Sequence, residues 1–308
     1  MKVFFHLYSI FFFDEILNLL PILATICAIA VISNLVGNLR TKNNEKSIGD
    51  LIHFVCYGII IILISGTLLG FFDMTKQTIQ SLQNQMQIIF PILLTLMTAI
   101  GGTVSVGIYQ PAMAILSTTV VELFINIVLP IFICSFVFNI VGNLSTGIKL
   151  DKFAHFFSSA FKWIVGAIFT LFTTFITFQG ISAGSYDGLS IKSAKYAIKN
   201  YVPFVGGYLS DGFNIIMSSS ILIKNALGVV GLILLCATII MPVLKIVLFG
   251  LGLKLVSAII EPISDKRISN FIFNVGKSTN YLVAIIMSVA FMYLITIGLV
   301  MCTSNLIV

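Results

Sequence analysis

The sequence predicts an all-α fold: a polytopic membrane helix bundle of about eight transmembrane helices, with interfacial amphipathic helices between them. Three observations predict it. Of 308 residues, 58% are hydrophobic and only 9% are charged. A soluble domain carries about 25% charged residues, so this chain has too little charge to coat a folded surface of its size. Charge-free stretches recur at 16–37, 51–72, 88–121, 123–148, 165–185, 225–244 and 278–308, and a bilayer core needs about 20 apolar residues in a helix. None of these stretches alternates polar and apolar residues as the strands of a membrane barrel do, which leaves helices.

In chain order, residues 1–15 form a short N-terminal segment, apolar around Lys2 and closed by Asp14 and Glu15. It reads as a signal-like or membrane-skimming start, with no clear small-residue cleavage site after it. Residues 16–308 read as a single polytopic membrane domain. Its predicted spans are 16–37, 51–72, 89–109, 112–138, 162–180, 204–223, 226–248 and 279–302. The sixth holds Gly206, Gly207, Asp211 and Gly212 and reads as either a broken or a re-entrant helix.

Three connecting segments have helical periodicity of their own. Asp73–Gln87 carries glutamines at 77, 80, 83, 85 and 87, with Ile79, Leu82 and Met86 recurring at helical spacing; it reads as an amphipathic helix lying on the membrane. Tyr186–Tyr201 sets Lys192, Lys195 and Lys199 against Ile191, Ala194 and Ile198. Ile148–Phe161 sets Lys149 and Lys152 against Phe153, Phe156 and Phe157. The Lys192, Lys195 and Lys199 stripe is a candidate surface for anionic lipid or an acidic partner, since each lysine near an anionic leaflet contributes about 1 kcal/mol. The plain alternative for all three is a polar loop helix.

The formal net charge of +6 belongs to the connections. With eight spans, Arg40, Lys42, Lys46, Lys192, Lys195, Lys199, Lys254, Lys266, Arg267 and Lys277 share one side, and Lys2, Lys76, Lys149, Lys152, Lys162 and Lys224 the other. The more basic side faces the cytoplasm, which would put both termini on the opposite face. No basic, aromatic-interleaved module for nucleic acid is present.

Charged residues within apolar runs are costly and therefore informative. Glu122 lies in the fourth predicted span, with Asn126 and Pro130 at one-turn steps beyond it. Asp211 lies in the glycine-rich sixth segment, Lys224 between spans six and seven, and Lys245 just after Pro242. A polar path through the membrane would use such residues. The plainer reading is snorkelling for the two lysines and helix–helix hydrogen bonding for Glu122. Gly101-Gly-Thr-Val-Ser-Val-Gly107 and Gly206-Gly-Tyr-Leu-Ser-Asp-Gly212 form a pair of glycine-interrupted segments. They either face one another across a polar cavity, as in transporters built from broken helices, or pack closely through small residues.

Enzymatic signatures are missing. There is no phosphate-binding GxxxxGK[ST] loop, no GxGxxG, no HExxH and no GxSxG. His6, His53 and His155 stand apart from carboxylates and cysteines, and Cys27, Cys56, Cys134, Cys236 and Cys302 are dispersed through apolar runs. They read as small core residues rather than metal ligands or disulfides. The expectation is a protein without cofactor or metal that is not an enzyme.

A resemblance narrows the function. Tyr201-Val-Pro-Phe-Val-Gly-Gly-Tyr-Leu-Ser-Asp-Gly212, then Leu222-Ile-Lys-Asn-Ala-Leu-Gly-Val-Val-Gly231, Pro242-Val-Leu-Lys245 and Glu261-Pro-Ile-Ser-Asp-Lys-Arg267 follow in order. With Gly101-Gly102 and Gln110-Pro111, this series resembles the stage III sporulation protein AE family from about Asp14 onward. Members of that family usually carry a signal peptide and a longer polar region ahead of their spans. The resemblance implies a membrane subunit of the channel-like complex between mother cell and forespore, sited in the mother-cell membrane around the forespore. It implies, as partners, the other stage III A proteins, including a cytoplasmic ATPase and ring-forming proteins, and indirectly the forespore's stage II Q protein. It carries over no catalytic residue. The competing expectation is a secondary transporter with its site at the glycine-broken helices.

Overall fold

The computed structural model describes residues 2–39, 46–144, 151–201, 206–263 and 266–305, with no strand among them. The helices are α1 (Lys2–Leu39), α2 (Lys46–Ala99), α3 (Thr103–Ala114), α4 (Val121–Leu123), α5 (Leu129–Leu144), α6 (Asp151–Tyr201), α7 (Gly206–Ile260) and α8 (Lys266–Asn305). Two π-helical stretches, Ile115–Val120 and Phe124–Val128, connect α3 to α4 and α4 to α5 without a break in helical structure.

Six helical runs among the described residues are long and apolar enough to cross a membrane: Asp14–Ser33, Phe54–Ala99, Thr103–Gly142, Lys152–Gln179, Asp211–Ile260 and Arg267–Thr303. The expected spans 204–223 and 226–248 thus share one uninterrupted helix from residue 206 onward, so that segment is neither broken nor re-entrant there. The expected span 89–109 is instead divided by a turn at 100–102. Asp73–Gln87 is the interior of α2 rather than a separate helix on the membrane. The described part of 148–161, and all of 186–201, belong to α6. Glutamine and lysine are good helix formers, so these polar intervals continue the helix instead of ending it. Helices α2, α6 and α7 have 54, 51 and 55 residues. At about 1.5 Å rise per residue, each is more than twice as long as the roughly 30 Å hydrocarbon layer is thick.

Large apolar side chains point outward along these helices. Ile62 is 71% exposed, Leu171 72%, Leu222 73% and Trp163 80%. Water would disfavour so extended an apolar surface, whereas lipid covers it without cost. Threonines on α2, α6 and α8 turn their hydroxyls back to a carbonyl one turn earlier: Thr67 to Leu63, Thr173 to Phe169 and Thr296 to Met292, at 2.7–3.0 Å. Back-bonding of this kind satisfies a hydroxyl that has no water.

The chain packs as two compact units. The first comprises Met1–Lys76, Val128–Lys162 and Met241–Ile285; the second comprises Gln77–Ile127, Trp163–Ile240 and Ile286–Val308.

In the first unit, α7 and α8 run antiparallel at close range. Ser257 donates to the Ser269 carbonyl at 2.9 Å, and Ser269 returns a bond to the Ser257 carbonyl at 3.2 Å. Two turns along α7, a Cβ placed on Gly276 would lie 2.9 Å from the Gly250 carbonyl oxygen. Glycine at both positions is what lets the backbones approach, the small-residue packing of membrane helices. Aromatic contacts flank this seam: Tyr57 meets Phe271 edge-on at 5.3 Å, and Phe71 meets Phe249 at 5.0 Å. On α1, Leu23 fills the space beside Gly252.

In the second unit, α2 and α3 form a helical hairpin. Its turn is a Schellman motif: Gly101 adopts φ 93°, its N–H donates to Thr98 at 2.9 Å, and the Gly102 N–H donates to Met97 at 3.0 Å. A side chain at Gly101 would be strained by that φ, which accounts for one glycine of the pair. Ile100, at the turn, packs with Met217, Phe213 and Ile221 of α7.

Candidate functional site

The α2–α3 hairpin does not close along its whole length. An open cleft of about 420 Å³ lies in it, lined from α2 by Gln87, Pro91, Thr95 and Thr98, and from the facing strand of helix by Gln110, Ala114 and Ser117. The helices part here for a local reason. Pro91 and Pro111 sit inside α2 and α3; each lacks the N–H that would bond the carbonyl four residues earlier. Just beyond Ala114 the α-helix gives way to the π stretch Ile115–Val120. Such π turns are frequent at functional sites. The hydroxyls of Ser117 and Thr118 converge on the Ala114 carbonyl, and the Gln83 amide donates to the Ser117 carbonyl across the hairpin.

The polar atoms of the cleft are amides, hydroxyls and carbonyls. Thr95 and Thr98 donate to the Pro91 and Leu94 carbonyls at 2.7 and 2.8 Å, which leaves their oxygen lone pairs as acceptors. The lining described here contains no acid, base or cysteine. These groups suit water or a neutral polar group. No cluster of three or more metal-ligating side chains occurs among the described residues.

The residues singled out in the sequence are dispersed. Glu122 is exposed on α4, the three-residue step between the two π stretches. Asp211 is exposed near the start of α7, and Gly206 and Gly207 are its first two residues, with surroundings outside the described part. Lys192, Lys195 and Lys199 lie on the last part of α6, and their side chains are likewise outside the described part. The glycine pair at 101–102 and the start of α7 are therefore not joined by a described polar cavity; the contact described near them, Ile100 on Met217, is apolar.

The two lysines do not behave alike. Lys224 does not snorkel: it is fully buried, and its ammonium donates to the Val300 carbonyl at 2.6 Å and the Met301 carbonyl at 3.4 Å. These carbonyls lie in the last two turns of α8, where the helix dipole favours a cation. Gly228 leaves room for Met301 one turn along α7. Lys245 forms an ion pair with Glu15 of α1 at 2.8 Å. Sequence reasoning passed over Glu15, because its partner is 230 positions away.

Long apolar helices with lipid-suited outer faces, back-bonded hydroxyls and glycine-mediated seams define a polytopic α-helical membrane protein. The sequence model of the family Stage III sporulation protein AE matches residues 1–304. The chain belongs to that family. It is 24% identical over 296 residues to Stage III sporulation protein AE of Bacillus subtilis (strain 168), a match that covers 96% of this chain and 74% of that protein. No solved structure matches. Membership supports a role in sporulation, and the family is named for that process rather than for a catalysed reaction.

Proposed function

We propose that the protein is a membrane subunit of a channel-like secretion complex between mother cell and forespore, required for endospore formation and sited in the mother-cell membrane around the forespore. The observation that carries this reading is the family match along residues 1–304. The lipid-suited outer faces of the helices agree with a subunit that assembles within the membrane. Its partners on this reading are a cytoplasmic ATPase, ring-forming membrane proteins and, indirectly, the stage II Q protein of the forespore. Crosslinking and affinity purification of the tagged chain from sporulating cells tests it. Co-enrichment of the ATPase and ring proteins is expected; recovery of the chain without either would overturn the reading.

A second reading, secondary transport, is favoured by the proline-parted cleft of about 420 Å³. Asp211→Asn separates the two, because it removes charge at nearly constant shape. A subunit that assembles is expected to keep sporulation within about twofold of wild type, since an exposed polar exchange costs little stability. Loss of sporulation by tenfold or more, with the chain still folded and in the membrane, would favour an ion-coupled carrier.

A further inference from the structure

The first unit holds a second, smaller pocket, and its chemistry differs from that of the cleft. It has a volume of about 190 Å³ and lies where α5, α6 and α8 meet. Ser135 and Asn139 come from α5, His155 and Ser158 from α6, and Asn274, Lys277 and Tyr281 from α8. Its walls are fixed. Phe138 stacks on Phe157 at 5.2 Å and on Phe153 at 5.7 Å, which joins α5 to α6. Tyr281 packs against Phe161 at 4.7 Å and Phe132 at 6.4 Å, and its hydroxyl bonds that of Ser158.

Inside this frame one group is unsatisfied. Ser135 is 2% exposed, and its hydroxyl has no hydrogen-bond partner among the described residues. A buried hydroxyl without a partner costs free energy, so its retention in a rigid polar pocket points to a ligand. The lining chemistry indicates which kind. Lys277 is a cation, and Ser135, Asn139, Asn274 and the His155 ring supply neutral hydrogen-bonding groups. No carboxylate lines the pocket among the described residues. Such a site repels cations and suits an anion with several oxygen acceptors. The exposed rings of Phe153, Phe156 and Phe273 are sequence neighbours of His155 and Asn274 on the outer faces of α6 and α8, where lipid chains would lie.

We propose that this pocket binds a phosphate-bearing anion, with Lys277 and Ser135 as its principal contacts and an anionic lipid headgroup as the source its apolar surroundings favour. The test uses the full chain, purified in a neutral detergent, with affinity measured for phosphatidylglycerol, phosphatidylcholine and inorganic phosphate. Phosphatidylglycerol is expected to bind at least about tenfold more tightly than phosphatidylcholine, and Lys277→Gln and Ser135→Ala are each expected to weaken it by about tenfold, the scale of a hydrogen bond to a charged group. Lys277 is exposed, so its variant should fold, and an unchanged elution profile and circular dichroism spectrum verify this for both variants. Displacement of the lipid by millimolar phosphate would support the pocket and identify the phosphate group as the element recognised. Binding of phosphate alone, lost in both variants, would support the pocket with a free anion as the source. Equal binding of the two lipids, or wild-type affinity in both variants, would overturn the proposal.

Discussion

Replacing Gly276 with leucine is expected to leave little folded protein. Its Cβ would lie 2.9 Å from the Gly250 carbonyl oxygen and 3.1 Å from the Leu253 Cβ. The first of these is backbone, which cannot turn aside as a side chain does. A Cβ on Gly250 in turn meets the Thr279 hydroxyl and, at 3.2 Å, the Gly276 carbonyl. The two substitutions therefore push α7 and α8 apart at one seam and strain the paired serines, Ser257 and Ser269, two turns from it along α7. Overpacking costs about 1–3 kcal/mol per site in well-packed cores, and the leucine adds more volume than a single methyl. Gly276→Ala should fall within that range and lower the melting temperature in detergent by several degrees. Gly298, beside which a Cβ would meet nothing within 4 Å, supplies the control: Gly298→Ala should melt at or above the wild-type temperature. A Gly276→Leu protein that melts like wild type would show that the seam is not this close.

The second large effect is expected at Lys224. Its ammonium sits among carbonyl oxygens of α8 with no exposure to solvent. Lys224→Glu would place a carboxylate against those oxygens, and a buried charge without a counter-group costs about 3–5 kcal/mol. That is a large share of the roughly 5–15 kcal/mol that holds an ordinary domain together, so monodisperse protein should be lost. Lys224→Met keeps the length and apolar stem of the side chain and removes the charge. The Val300 and Met301 carbonyls remain inside the α8 helix, so this variant should fold, with a melting temperature within a few degrees of wild type. Size-exclusion chromatography with thermal challenge reads both. A Lys224→Glu protein that elutes and melts as wild type would contradict the buried placement.

The fold class and the apolar runs were legible in the sequence, and Gly101 and Gly102 stood out there, but the span expected over 89–109 ran through them where the structure turns. Glycine pairs mark places where a helix can turn, and Gly101 does adopt positive φ. The number of spans was not legible. A polar interval such as Asp73–Gln87 reads as a connection because hydropathy falls there. Two of its five glutamines instead find partners within the second unit: Gln83 bonds the Ser117 carbonyl, and Gln85 the Thr238 hydroxyl at 2.6 Å. With these two amides held by neighbouring helices, the segment continues as helix. Pairings across long sequence separations were hidden for the same reason. Lys224 meets α8, Lys245 meets Glu15, and His155, which looked isolated in the sequence, shares a pocket with Ser135 and Lys277. Each of these depends on tertiary packing that periodicity does not encode.

The continuity of α7 is the architectural claim with the clearest alternative. Two spans, 204–223 and 226–248, would fold back on each other at 224–225 and bring Ile215 close to Leu234. One helix keeps them 19 residues apart along its axis, about 28 Å at 1.5 Å per residue. Both side chains are exposed, at 68% and 47%, so nitroxide labels fit at either position. Cys27, Cys56, Cys134, Cys236 and Cys302 would first be replaced, and Ile215→Cys and Leu234→Cys introduced together. Pulsed dipolar spectroscopy of the labelled protein in lipid nanodiscs should give a single narrow distribution near 28 Å, widened only by the label linkers. A distribution centred below about 15 Å, the spacing of two packed helices plus linkers, would show a hairpin and contradict the continuous helix.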